Sequence, residues 1–162
     1  MIDTLFPRTS NSPASDEDIA QLEASLGSSL PSQLKAFLMT ANGAWIPDVV
    51  IPSEGCPEVP GGGIRGEMLY SAAEIIESRE TYSNRVSPDL LVCGNDDFGN
   101  ALCIGLHGPR QGQIYFWDHE DDVVGALEMG MDVDPERAHQ NEFFVAHSLF
   151  EFITLYQKAD PD

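Results

Sequence analysis

Apolar residues recur at helical spacing in two stretches near the start of the chain. In "SDEDIAQLEASLG", Ile19, Leu22 and Leu26 fall on one face. Ser15 stands at the expected N-cap, and Asp16, Glu17 and Asp18 suit the positive end of the helix dipole. Gly27 supplies a left-handed residue to end the helix. In "LPSQLKAFLMTANG" the stripe is Leu34, Phe37, Leu38 and Ala41. Pro31 fits its first turn, where a backbone N–H is expendable, and Asn42-Gly43 ends it. The short link through Ser28, Ser29 and Leu30 predicts a compact helical pair.

The pattern then breaks. "SEGCPEVPGGGIRGE", rich in Pro and Gly, reads as a loop over residues 53–66, longer than most connections within a domain. "MLYSAAEIIESRETY" runs from a short strand into a helix, and Ser71 and Glu74 have the capping-box spacing. From Leu90 onward the runs shorten to strand length. "LLVC", "ALCIGL" and "GQIYFWD", separated by Gly and Asn turns, predict an antiparallel meander. "DHEDDVVGALEMGMDVDPERAHQNE" reads as irregular and acidic. "FFVAHSLFEFITLYQKA" closes the pattern, with Ser148 and Glu151 at capping-box spacing and Leu149, Phe152, Ile153 and Tyr156 at helical intervals. The opening residues 1–13 read as a polar arm with Leu5 and Phe6 available to dock.

This order predicts a single α+β domain over residues 1–162, with about four helices around a mostly antiparallel central sheet. A chain of this size buries about 70% of its extended surface, enough for an independent core. Charge is the unusual feature: 27 acidic residues face 8 basic ones, a net −19. That opposes direct binding of nucleic acid, which requires Lys and Arg against phosphate, and docking on anionic membranes. It favours a basic partner, or serves solubility alone. Cys56, Cys93 and Cys103 form no CxxC pair, so buried thiols are expected rather than a disulfide scaffold or zinc module. No leader pattern opens the sequence and no apolar run reaches the roughly 20 residues of a membrane span, so a cytoplasmic location is expected.

"VCGNDDFGNALCIGL" concentrates candidate chemistry. Cys93, Cys103, His107, His119, Asp96 and Asp97 are metal-ligating types, but their spacing matches no zinc signature. "NDDFGNALCIGL" has the early oxygens of a calcium loop and lacks its late glutamate. His107, His119, His139 and His147 are scattered and belong to no nucleophile–base signature. Adjacent Asp96 and Asp97 point to opposite sides of an extended segment, which argues against a shared proton. Gly61-Gly62-Gly63 is not followed by the Lys-Ser/Thr pair of a phosphate loop. No catalytic set, metal or cofactor is expected. In "YFWDHEDD", Phe116 faces opposite to Tyr115 and Trp117, and Asp118, Glu120, Asp121 and Asp122 follow at the strand end. An acidic rim beside aromatic anchors is interface chemistry, although an aromatic core strand leading into a solvated loop reads the same way.

These pieces together resemble the SUKH superfamily, which includes bacterial immunity proteins and a yeast cell-wall assembly regulator. The resemblance rests on Ile19, Leu22, Glu23, Gly27, Leu30, Pro31, Phe37, Leu38, Asn42 and Gly43 in the helical pair. It continues through "LLVCGNDDFGNALCIGL", "GQIYFWDHED" and the closing "AHSLFEFITLY", in that order. The chain departs from the pattern in the Pro/Gly loop and in the acidic insertion after His119. The resemblance implies a non-catalytic binding domain, in bacteria often an immunity protein that neutralises a cognate toxin, commonly a nuclease. The alternatives are a regulatory or scaffold module of the same fold, and a metal-dependent hydrolase built around Asp96, Asp97 and His119. The expected partner-binding residues are Asp96, Asp97, Asp118, Glu120, Asp121 and Asp122, with Trp117 or Trp45 as anchors.

Overall fold

The computed structural model describes residues 11–45, 50–52, 63–65 and 68–159. Leu5, Phe6 and Cys56, and the start of the glycine triplet, lie outside the described residues.

The helical pair forms as its pattern predicts. Helix α1 spans Asp16–Leu26, with Ser15 and Asp18 in a reciprocal capping box and Gly27 left-handed at φ 69°. Helix α2 spans Ser32–Thr40 and buries Leu34, Phe37 and Leu38. Pro31 occupies its N-cap, one residue before the first turn where it was expected. Asn42 does more than end this helix. At φ 47° its Oδ1 accepts from Ala72 N at 3.0 Å, its Nδ2 donates to Ser12 O at 2.9 Å, and its carbonyl accepts from Asn11 Nδ2 at 3.0 Å. One left-handed asparagine thus ties the segment before α1 and the start of the next helix to the end of α2.

Helix α3 spans Ala72–Thr81, opened by the predicted Ser71–Glu74 capping box. Strands β1 (Ala44–Trp45), β4 (Met68–Leu69), β5 (Leu90–Asn95), β6 (Ala101–Gly105), β7 (Ile114–Trp117) and β8 (Glu142–Ala146) form one six-stranded sheet in the order β1-β4-β5-β6-β7-β8. Every pairing is antiparallel. Strands β2 (Val50–Pro52) and β3 (Gly63–Arg65) pair separately. The chain therefore has the expected α+β fold.

Side chains alternate across the sheet as a period of two requires. Leu91, Cys93, Leu102, Ile104, Ile114 and Phe116 join Leu22, Leu34, Phe37, Leu38, Ile75, Leu149 and Phe152 in the main core. On the opposite face Leu90, Val92, Ala101, Cys103 and Trp117 form a second cluster, against which Tyr70, Tyr82, Val86 and Tyr115 pack. A sheet covered on both faces explains why "LLVC" and "ALCI" are unbroken apolar runs. Gly94 sits at the β5 irregularity, where a Cβ would overlap the Met68 carbonyl of the neighbouring strand. No helix among the described residues is long and apolar enough to cross a membrane.

Four local expectations are corrected. Residues 63–65, read as loop, pair with 50–52; three residues among Pro and Gly carry too little pattern to announce a strand. The acidic segment read as irregular contains helix α4, Val123–Glu128, between 3-10 turns at His119–Asp121 and Pro135–Arg137. Six residues beginning Val-Val-Gly are too short for a helical period, and the helix starts because Asp122 Oδ1 accepts from Gly125 N at 3.0 Å. "EFFVA", not separated from the closing segment, is edge strand β8, while helix α5 begins at Leu149, directly after the expected Ser148 cap, and runs to Ala159. There Ser148 Oγ caps Glu151 N at 3.0 Å as expected, but the Glu151 carboxylate turns to His147 N, so the reciprocal half of the box is shifted by one residue.

Candidate partner-binding surface

Strand register determines what meets at one end of the sheet. Trp45 pairs with Met68, Met68 with Asn95, Asn95 with Ala101, and Ala101 with Trp117. These residues form one row, so Trp45, the β5–β6 turn and the residues after β7 lie at the same end. Neighbouring strands are about 4.8 Å apart.

The β5–β6 turn is built around Asp96, which is buried. Its Oδ1 accepts from Phe98 N at 2.9 Å and Asn100 N at 2.8 Å, and its Oδ2 accepts from Asn100 Nδ2 at 2.7 Å. The backbone closes with Asp96 N donating to Asn100 O at 3.1 Å, and Gly99 takes φ 91°. An aspartate that is buried and accepts three hydrogen bonds from its own turn is committed to that turn rather than presented to a visitor. Asp97 and Phe98 project from the tip instead, both exposed, Phe98 at 63%.

Asn100 then links the turn to the end of β7. Its amide orientation is set by the Asp96 carboxylate, so Oδ1 faces His119 and accepts from His119 N at 3.0 Å. His119 Nδ1 lies 2.6 Å from the same oxygen, which can only accept, so Nδ1 is the donor in this contact. The imidazole packs beneath Gly99, and its Nε2 lies 3.0 Å from Glu120 Oε1. A chain of three side chains, Asp96–Asn100–His119, holds the hairpin tip against the β7 end.

The carboxylates after β7 are not equivalent. Asp118 is buried, and its Oδ1 caps the 3-10 turn by accepting from Glu120 N at 2.9 Å; burial pushes its pKa above the ordinary aspartate value. Asp122 accepts from Arg85 Nε at 2.6 Å while capping α4. Asp121 pairs with Arg137 and stays half-exposed, and the Glu120 side chain is the most exposed of the group. Trp117, expected as an anchor, is only 1% exposed: its Nε1 donates to Arg85 O at 3.2 Å and Tyr82 meets its ring edge-on at 5.5 Å. It holds the second core cluster and is not accessible. Trp45 is 52% exposed.

Of the eight residues expected at the interface, Asp97, Glu120, Asp121 and Trp45 are therefore presented to solvent. Asp96, Asp118, Asp122 and Trp117 hold the scaffold that presents them. Phe98 was missed, although an aromatic residue inside "NDDFGN", at a turn too short to fold back, was a readable sign. Among the described residues no group of three or more His, Cys, Asp and Glu side chains is placed to hold a metal ion.

The acidic surface follows from the excess of 27 acidic over 8 basic residues. Arg85, Arg110 and Arg137 are each engaged by carboxylates, and Arg79 Nη1 donates to Ser25 O.

A sequence model described as the SMI1/KNR4 family (SUKH-1) matches residues 13–154. The chain belongs to this family. As a SUKH-1 member it is also 28% identical over 123 residues to the SPbeta prophage-derived uncharacterized protein YokK of Bacillus subtilis (strain 168). That alignment covers 65% of this chain and 62% of the relative, so the chain spans less than two thirds of the relative's length. The SUKH-1 match runs from the cap of α1 into α5, and it includes the acidic turn and the segment between β7 and β8.

Proposed function

We propose that the chain is a non-catalytic, cytoplasmic immunity protein that neutralises a cognate polymorphic toxin, a basic nuclease domain, by direct contact. The observation that carries this reading is the grouping of exposed Trp45, Asp97, Phe98 and Glu120 at one end of a sheet whose turn is held by buried Asp96. Membership of a family that includes immunity proteins supports it, as does the net charge of −19. A nuclease must carry positive charge to hold its substrate. An acidic, pre-organised tip with aromatic anchors fills such a cleft and keeps nucleic acid out.

The test is co-expression with a candidate toxin from a neighbouring gene. The chain is expected to co-purify with the toxin and restore growth, and the Asp97→Lys/Glu120→Lys variant, folded as judged by thermal melting, is expected to lose both effects. A toxin that arrests growth equally with and without the chain refutes the reading.

A further inference from the structure

Between β7 and β8 the chain leaves the sheet at Asp118 and returns at Asn141. The neck is closed by Asp118 N donating to Asn141 O at 3.0 Å and Asn141 Nδ2 donating to Asp118 O at 2.7 Å, and both residues are buried. Arg137 with Asp121, and Arg85 with Asp122, fasten its flanks. The excursion is thus a closed, internally bonded unit.

At its far side α4 ends in a Schellman turn. Gly130 takes φ 77°, its N–H donates to Leu127 O at 3.0 Å, and Met131 N donates to Ala126 O at 3.0 Å. The apolar residue after such a glycine ordinarily packs back on its helix. Here Met131 remains 55% exposed, Met129 is 75% exposed, and Leu127 is exposed beside them. Glu128, Asp132, Asp134 and Glu136 flank them along the chain, all exposed. Apolar side chains held outward on an ordered turn mark an interaction surface, and methionine adapts its shape to an irregular apolar partner.

We propose that this turn docks an amphipathic basic helix of the protein partner, with apolar residues against Met129, Met131 and Leu127 and Lys or Arg against the acidic rim. Charge complementarity selects this occupant. A second copy of the chain would set the same acidic rim against itself, and like charges across an interface oppose association. The inference rests on the reading of the chain as a binder of a basic protein, but its test needs no toxin.

The probe is a synthetic amphipathic lysine–leucine helix, with a scrambled peptide of the same composition as control, titrated into protein labelled at its methionine methyls. The Met129 and Met131 methyl signals are expected to shift saturably while Met39, half-exposed on α2, stays unmoved. The scrambled peptide, and separately the Met129→Ser/Met131→Ser variant with unchanged melting temperature, are each expected to bind at least about tenfold more weakly. Equal shifts at Met39, equal affinity for the scrambled peptide, or equal affinity of the variant would overturn the proposal. So would self-association of the free protein that the variant abolishes, which would assign the patch to a second copy. If toxin neutralisation fails while these shifts appear, the functional reading falls and the surface stands. If neutralisation holds and the methyls do not move, only the surface falls.

Discussion

The Asp96 carboxylate and the Asn100 side-chain amide meet at 2.7 Å inside the β5–β6 turn, and Asn100 passes the contact on to His119. The buried acid of the Asp-Asp pair thereby positions the exposed one. Of two adjacent carboxylates, one serves the turn and the other is left to solvent.

That division predicts unequal costs for two similar substitutions. Asp96→Ala strips the acceptor from two backbone N–H groups and the Asn100 amide, and is expected to destabilise the protein by about 2–3 kcal/mol. Asp97→Ala removes an exposed side chain and should stay within about 0.5 kcal/mol of the parent. Urea unfolding of the two variants decides it; equal losses would contradict the assignment.

Burial sets a second carboxylate apart. Asp118 has a folded-state pKa above its unfolded value, so the folded state binds the proton more tightly. As pH rises from the unfolded to the folded pKa, this group lowers stability, and above that window the penalty is constant. Asp118→Asn keeps an acceptor for Glu120 N and removes the charge. The variant should be more stable than the parent at neutral pH, with the advantage fading as pH falls below the range of a free aspartate. An advantage that grows toward acid would refute the sign.

The opposite sign holds at Asp89. Its hydrogen bonds from Arg110 hold its pKa below the usual value, and Arg110 also donates to Glu142 Oε2 at 2.8 Å and lies over the Tyr115 ring at 4.9 Å. Glu142, buried in β8, accepts in addition from Ser87 N and Oγ, both at 2.7 Å. One guanidinium therefore joins the segment before β5, the β6–β7 turn and the edge strand. Arg110→Met strands the buried Glu142 charge and is expected to cost about 3 kcal/mol at neutral pH. Asp89's share of this stability is present above the unfolded aspartate pKa and lost as pH falls through the depressed folded value. In the variant the acid side of the stability profile should flatten. Arg110→Lys should recover only part of the loss, because an ammonium cannot reproduce the paired contacts with Asp89.

How much of this was readable beforehand depended on length and on local chemistry. Helices α1 and α3 announce themselves because Ser15 with Asp18 and Ser71 with Glu74 place caps where the apolar period begins. The hairpin was readable because Gly and Asn punctuate two apolar runs. Helix α4 and the β2–β3 pair were not, since six or three residues are too few to establish a period, and their placement depends on Asp122 or on a partner strand. Trp117 was misjudged for a different reason. Alternation correctly put it opposite Phe116, but only tertiary structure brings Tyr82 and the Arg85 backbone over that second face.

The two tryptophans give a direct measurement of that face. Trp45→Phe should remove the acrylamide-accessible part of the fluorescence and leave stability nearly unchanged. Trp117→Phe should remove the shielded part and cost about 2 kcal/mol, because it opens a cavity and orphans the Arg85 carbonyl. Equal quenching of both indoles would overturn the burial assignment.

On the proposed function, association with a basic toxin should be led by charge. Exposed charges act across about 10 Å at 0.1 M salt and only about 3 Å at 1 M, so steering by Asp97, Glu120 and the remaining surface acids is lost over that range. The association rate, followed by stopped-flow fluorescence of Trp45, is expected to fall at least about tenfold between low salt and about 1 M. The dissociation rate should change much less, because contacts made through exposed Trp45 and Phe98 would be apolar and salt does not screen them. Asp97→Lys should lower the association rate at low salt and reduce its salt dependence, whereas Phe98→Ala should leave that dependence intact and speed dissociation. An association rate indifferent to salt would remove the electrostatic part of the recognition while leaving the aromatic anchors to account for binding.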